Sequence, residues 1–391
     1  MIIRDFSQTF LQQLKHFPAI LVVGARQVGK TTLIKSLLSK THKYVLLEDP
    51  DMRELAINDP KSFLARFTPP LIIDEFQHAP QLVNYLQGII DNDRDLKGQY
   101  VLTGSQNFQM MEQVTQSLSG RIAILSLYGL SSSEYMIDKM FSSKEAIAKI
   151  ILRGTYPELW KNKEFPPQTW MSSYVQTFLE RDLRQLGQVG DLHSFEKFLK
   201  VLAIRTGQVL NNSDVAADCG MSPPTIQKWI SILERAFVIK LVQPYINNLT
   251  SRVRKASKLY FLDTGLAAYL MGFRDEEALL QSPFLGSLFE TLVFTDFIKR
   301  SSNNGEIPEH YYLQTKSKIG VDFIVSRNQK LSLYEIKLNT TYNNNLAKQL
   351  IQTAPTLKNV EQLNLIMSTN EEFDTEISGL KVHVSKWNGL I

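Results

Sequence analysis

The apolar run Ala19-Ile20-Leu21-Val22-Val23 passes directly into Gly24-Ala25-Arg26-Gln27-Val28-Gly29-Lys30-Thr31-Thr32, and a helical pattern follows. Strand, glycine-bearing loop and helix in this order commit the start of the chain to an α/β fold, because an unbroken apolar strand is covered on both faces. The loop fits G-x-x-x-x-G-K-[ST], in which the glycines let successive backbone N–H groups aim at one phosphate and the following helix adds its positive end. Gly24, Ala25, Arg26, Gln27, Val28, Gly29, Lys30, Thr31 and Thr32 are therefore the expected nucleotide-binding residues. Lys30 would reach the β- and γ-phosphates, and the Thr31 hydroxyl would be a Mg²⁺ ligand.

A second run, Pro70-Leu71-Ile72-Ile73-Asp74-Glu75, reads as a buried parallel strand ending in two carboxylates. Asp74 would hold the magnesium through water, and Glu75 would polarise the water that attacks the γ-phosphate, which points to hydrolysis rather than transfer. The strand Gln99-Tyr100-Val101-Leu102-Thr103-Gly104-Ser105 offers Ser105 as a γ-phosphate sensor, with Gln106 and Asn107 as rivals. Arg121 is the candidate transition-state cation, acting in cis or from a neighbouring subunit of a homo-oligomer.

At 391 residues the chain has material for about two or three domains. No apolar stretch reaches the ~18 residues of a membrane span, and the start lacks the order of a secretory signal. The single cysteine, Cys219, excludes an internal disulfide and points to a reducing cytoplasm. A net charge of +4 is too small to name a partner, so the distribution of charge has to do so.

Helices alternate with apolar strands to about Tyr128, as in a parallel sheet covered by helices. The expected division is an ATPase domain over 1–130, a helical lid or linker over 131–205, a winged helix over 206–270 and a C-terminal α/β domain over 271–391. In the third segment, Asn212 or Ser213 caps a first helix, Cys219-Gly220-Met221 turns, and Ser222 caps a second helix carrying Lys228. Arg252, Arg254, Lys255 and Lys258 follow in an expected wing, and these bases suit DNA phosphates or, alternatively, a protein partner.

In the last segment, alternation puts Glu335 and Lys337 on one face of a strand, and a hairpin would bring Asp322 beside Glu335. Asp322 and Glu335 would bind Mg²⁺ and Lys337 would polarise a water, as in metal-dependent phosphodiester hydrolysis. Glu290 from the preceding helix and Gln349 from the following one would complete the site. The alternative is a salt-bridged scaffold without turnover.

Taken together, these motifs resemble a prokaryotic family of AAA-type (AAA+) P-loop ATPases with a C-terminal domain of unknown function, itself similar to restriction-endonuclease-like (PD-(D/E)xK) nucleases. The resemblance also rests on Leu118 to Arg121, Gly154 to Pro157, Thr177 to Leu183, and Lys258 to Leu266. It implies ATP and Mg²⁺ as cofactors. Where the family has an acidic residue before the aspartate of Gly-x-Asp-Phe, this chain has Val321. The expectation is an ATP-driven machine acting on DNA, branched or damaged duplex included; the alternatives are an ATP-gated switch that binds protein partners and an ATP-regulated nuclease.

Overall fold

The computed structural model describes residues 2–104, 114, 116–135, 142–178, 192–246, 256–306, 308–314 and 320–388. Ser105, Gln106, Asn107, Arg252, Arg254, Lys255 and the stretch 179–183 lie outside them. The chain divides into two units. The first comprises 1–130 with 235–237 and 299–306, the second 131–234, 238–298 and 307–391.

The first unit is built on β1 (Ala19–Val23), β2 (Lys43–Leu46), β3 (Leu71–Asp74), β4 (Tyr100–Gly104) and β5 (Ile122–Ser126). Their order is β2-β3-β4-β1-β5, with every pair parallel. All five residues of β1 are buried, because β4 and β5 flank it and helices cover its faces. Around it close Leu71, Ile73, Phe76, Leu86, Tyr100 and Leu102. The register sets Val23 level with Gly104 and Ser126, and Asp74 level with Leu46. The loop after β1 and the acidic end of β3 therefore share one edge of the sheet, where ligands of open α/β sheets bind.

The second unit places helices around one nine-stranded sheet. Its strands are β6 (Gln208–Val209), β7 (Ile239–Pro244), β8 (Lys258–Phe261), β9 (Glu309–Gln314), β10 (Gly320–Arg327), β11 (Lys330–Lys337), β12 (Val360–Met367), β13 (Phe373–Ile377) and β14 (Leu380–Lys386). The order is β13-β14-β12-β11-β10-β9-β7-β8-β6. The expected helix pair exists as Asn212–Cys219 and Pro223–Arg235, with Gly220 in the left-handed turn between them. Its first cap is Asn211, one residue before the expected candidates, because the Asn211 side chain accepts from the Ser213 amide. The strands that follow, β7 and β8, pair antiparallel as a wing would, but they continue the sheet that carries β9 to β14. Asn328 and Gln329, both left-handed, turn β10 into β11, and Phe323 faces Tyr334 across that hairpin.

Candidate functional site

In the first unit, Gly24 leaves β1 where a Cβ would stand 2.1 Å from the Leu127 carbonyl oxygen, so only glycine fits. Gln27 and Gly29 are also left-handed, which curls the loop back on itself. The Lys30 ammonium lies within this curl and donates to the carbonyls of Gly24 (3.0 Å) and Ala25 (2.8 Å). Arg4 reaches in from the N-terminal segment, giving one guanidinium nitrogen to Val28 O (2.9 Å) and another to Tyr128 O (2.8 Å). That clamp holds the loop against the end of β5.

Asp74, 2% exposed, is the hub of the site. Its Oδ2 accepts from the Thr31 hydroxyl and from the Tyr44 phenol, both at 2.8 Å. Its Oδ1 accepts from Thr103 Oγ1 and from the Glu75 amide (3.1 Å). A buried carboxylate needs such donors to offset lost hydration. Burial first, and then the Asp74 carboxylate, push the Tyr44 phenol well above its ordinary range. Glu75 itself has φ +53°, a conformation that costs a non-glycine residue of order 1 kcal/mol or more. Its carboxylate accepts from Gln77 Nε2. The hydroxyl and carboxylate oxygens gathered beside the loop are hard donors of the kind Mg²⁺ takes.

A second cluster forms in the other unit. Asp322 on β10, Glu335 and Lys337 on β11, and Glu290 on the helix Leu285–Asn303 lie close together. Lys258, placed by its sequence in a DNA-facing wing, belongs to this cluster instead. It opens β8, is 8% exposed, and has its ammonium 2.7 Å from Glu290 Oε1 and 3.8 Å from Asp322 Oδ1. Tyr260 O–H donates to the same Glu290 oxygen (2.6 Å), the Ile336 amide to Asp322 Oδ2 (2.7 Å) and Lys337 to Glu335 Oε1 (2.5 Å). Gln349 accepts from the Gly320 amide (3.2 Å) and, with Lys258, Asp322, Glu335 and Tyr312, lines a cavity of about 300 Å³. Burial, and next the Asp322 charge, push the Glu335 carboxyl up to about 8. For Lys258, burial opposes the charge, but Glu290 and Asp322 outweigh it and hold the ammonium above its ordinary range. As arranged, this cluster does not fit a resident divalent ion, because its carboxylate oxygens already face the Lys258 and Lys337 ammonium groups and the Ile336 amide.

Residues 16–136 match the AAA domain family model. Downstream of them, residues 144–277 match a family described as a domain of unknown function (DUF8612), and residues 285–385 another so described (DUF4143). The chain is similar to an uncharacterized protein, Rv2008c, of Mycobacterium tuberculosis, 26% identical over 339 residues, spanning 86% of this chain and 74% of that protein. An uncharacterized protein of Haemophilus influenzae is 22% identical over 337 residues, spanning 81% and 76%. Among solved structures, the Walker-type ATPase PABY2304 of Pyrococcus abyssi aligns over 68% of this chain and 94% of its own, at 15% identity and a TM-score of 0.44. A point variant of RuvB from Thermotoga maritima aligns over 61% and 89%, at 17% identity and a TM-score of 0.29.

Within the first unit, Lys30, Thr31, Asp74 and Glu75 stand at one sheet edge. Arg121 does not. Its carbonyl accepts from the Ala19 amide at the start of β1, and Ala19 is level with Ile122. The five residues of β5, at about 3.3 Å each, therefore put it roughly 13 Å or more from the loop edge. There its guanidinium clasps Asp91 at 2.7 and 2.9 Å. Lys228 is exposed on the helix Pro223–Arg235, opposite the buried Ile226, Trp229 and Leu233. Sequence reasoning missed Arg4, Tyr44 and Thr103. The phase of β4 offered a signal for Thr103, the last side chain before Gly104, whereas nothing local marks Arg4 or Tyr44. No helix among the described residues is long and apolar enough to cross a membrane.

Proposed function

We propose that the chain binds and hydrolyses MgATP at the loop Gly24–Thr32 and uses the cycle to drive conformational change while acting on DNA. The observation that carries the ATP reading is the Asp74 hub, where the loop hydroxyl of Thr31 and the acidic end of β3 meet at 2.8 Å. Lys30 neutralises the β- and γ-phosphates, and the loop amides and the start of the helix Lys30–Leu38 hold them. Magnesium arriving with the nucleotide would be held by Thr31 and Asp74, and it supplies charge neutralisation on the phosphates. Glu75 takes the proton of the attacking water, and its bond to Gln77 orients it. Arg121, at the far edge of the sheet, would supply its transition-state cation from a neighbouring subunit.

The DNA reading is supported by the helix pair ending in Pro223–Arg235, with Lys228 outward. The second unit's Asp322, Glu335 and Lys337 convergence favours a phosphodiester-handling pocket descended from a nuclease fold. Lys30→Ala abolishes ATP turnover in this reading; undiminished turnover would overturn the site. Stimulation of turnover by single-stranded, duplex or branched DNA supports the DNA role. Failure of all three to bind at low salt would remove it in favour of a switch that engages protein partners.

A further inference from the structure

We infer that Lys258 is a tethered cation occupying the place a divalent ion would take in the second unit's acid–lysine pocket, and that it keeps metal out. The inference rests on the nuclease-like reading of that pocket. Its ground is how the carboxylates are satisfied. Glu290 takes the Lys258 ammonium and the Tyr260 hydroxyl, Asp322 takes the Ile336 amide and lies 3.8 Å from the same ammonium, and Glu335 takes Lys337. Lys258 further donates to the Asp322 carbonyl (3.4 Å). An ammonium between an acid on a helix and an acid on a strand does electrostatically what a bridging ion does: it lets half-buried carboxylates stay close without repelling.

Unlike an ion, it cannot polarise a water as a Lewis acid or leave with product. The side chain is also fixed by its position. Lys258 begins β8, which pairs with β7 and β6, so its stem is anchored in the sheet while its tip reaches the acids. A divalent ion entering the cavity would need the oxygens that the ammonium already holds, with a positive charge only a few ångströms away. Those oxygens become available to metal when the ammonium is removed.

The test is Mn²⁺ titration by electron paramagnetic resonance on the full, nucleotide-free chain, comparing wild type, Lys258→Met and Lys258→Met with Asp322→Asn. Methionine keeps the apolar stem and deletes the charge. The expected result is Mn²⁺ affinity raised about tenfold or more by Lys258→Met and lost again on adding Asp322→Asn. If wild type already binds Mn²⁺ as tightly at a site that Asp322→Asn removes, the tethered-cation inference falls while the nuclease-like reading survives. If Lys258→Met gains the ion yet the protein cuts no DNA, the inference stands and the nuclease-like reading falls. No Mn²⁺ gain in a folded Lys258→Met chain overturns the inference. Should that variant not fold, the wild-type comparison with Asp322→Asn alone decides: saturable binding lost on substitution overturns it, and no such binding supports it.

Discussion

Thr103 is fully buried beneath Asp74 and gives it one of four donors, so its hydroxyl aims the carboxylate that would face magnesium. Thr103→Val keeps the shape and deletes the donor. We expect ATP turnover to fall about tenfold and stability by about 1–2 kcal/mol, read by steady-state kinetics and urea unfolding; unchanged turnover would show that Asp74 needs no such aim. His310, on β9, meets Phe294 and Phe297 edge-on at 5.9 and 5.5 Å. Burial first, then Lys240 and Arg327, lower its imidazole to about 4. Its folded pKa is depressed, so the stability it permits is present above the unfolded value near 6.5 and is lost as pH falls toward 4. His310→Phe should remove up to about 3 kcal/mol of that acid-side loss, and an identical pH 7-to-5 decline in both proteins would refute it.

Between elements, the motifs Gly154-Thr155 and Asp263-Thr264-Gly265 turn out to be one joint. Asp263 caps the helix Thr264–Leu270 through the Leu266 amide (2.8 Å) and also accepts from the Thr155 amide (2.6 Å) and hydroxyl (2.8 Å). Gly265 packs so near that a Cβ there would stand 2.8 Å from Gly154 Cα, which ties the helix Lys144–Arg153 to the capped helix. Asp263→Ala strands buried donors as well as a cap. Its expected cost is about 2–4 kcal/mol of stability, measured by denaturant unfolding, and a loss under 1 kcal/mol would count against the joint. These short motifs thus have a packing reason, independent of any reaction.

For the molecule as a whole, nucleotide that binds only the folded first unit must stabilise it by linkage. MgATP at roughly a hundred times its Kd should add about 2.7 kcal/mol to that unit's unfolding, seen in calorimetry as an upward shift absent from Lys30→Ala. A shift of equal size in Lys30→Ala would mean the nucleotide is held elsewhere.

Local spelling was enough for the strand–loop–helix of Gly24 to Thr32, the acidic end of β3 and the β10–β11 hairpin, because backbone sterics and apolar runs act over a few residues. The convergence of Glu290, Asp322 and Glu335 was also legible, since alternation along β11 and one tight turn set it. Tertiary structure alone decided the rest. It buried Lys258 among acids where its neighbours had suggested a basic wing, stood Arg121 at the far edge of the sheet, brought Arg4 to the loop after β1 and set Tyr44 against Asp74. Those placements come from strand order and long-range pairing, and a charge carries no mark in the sequence of which partner it will meet.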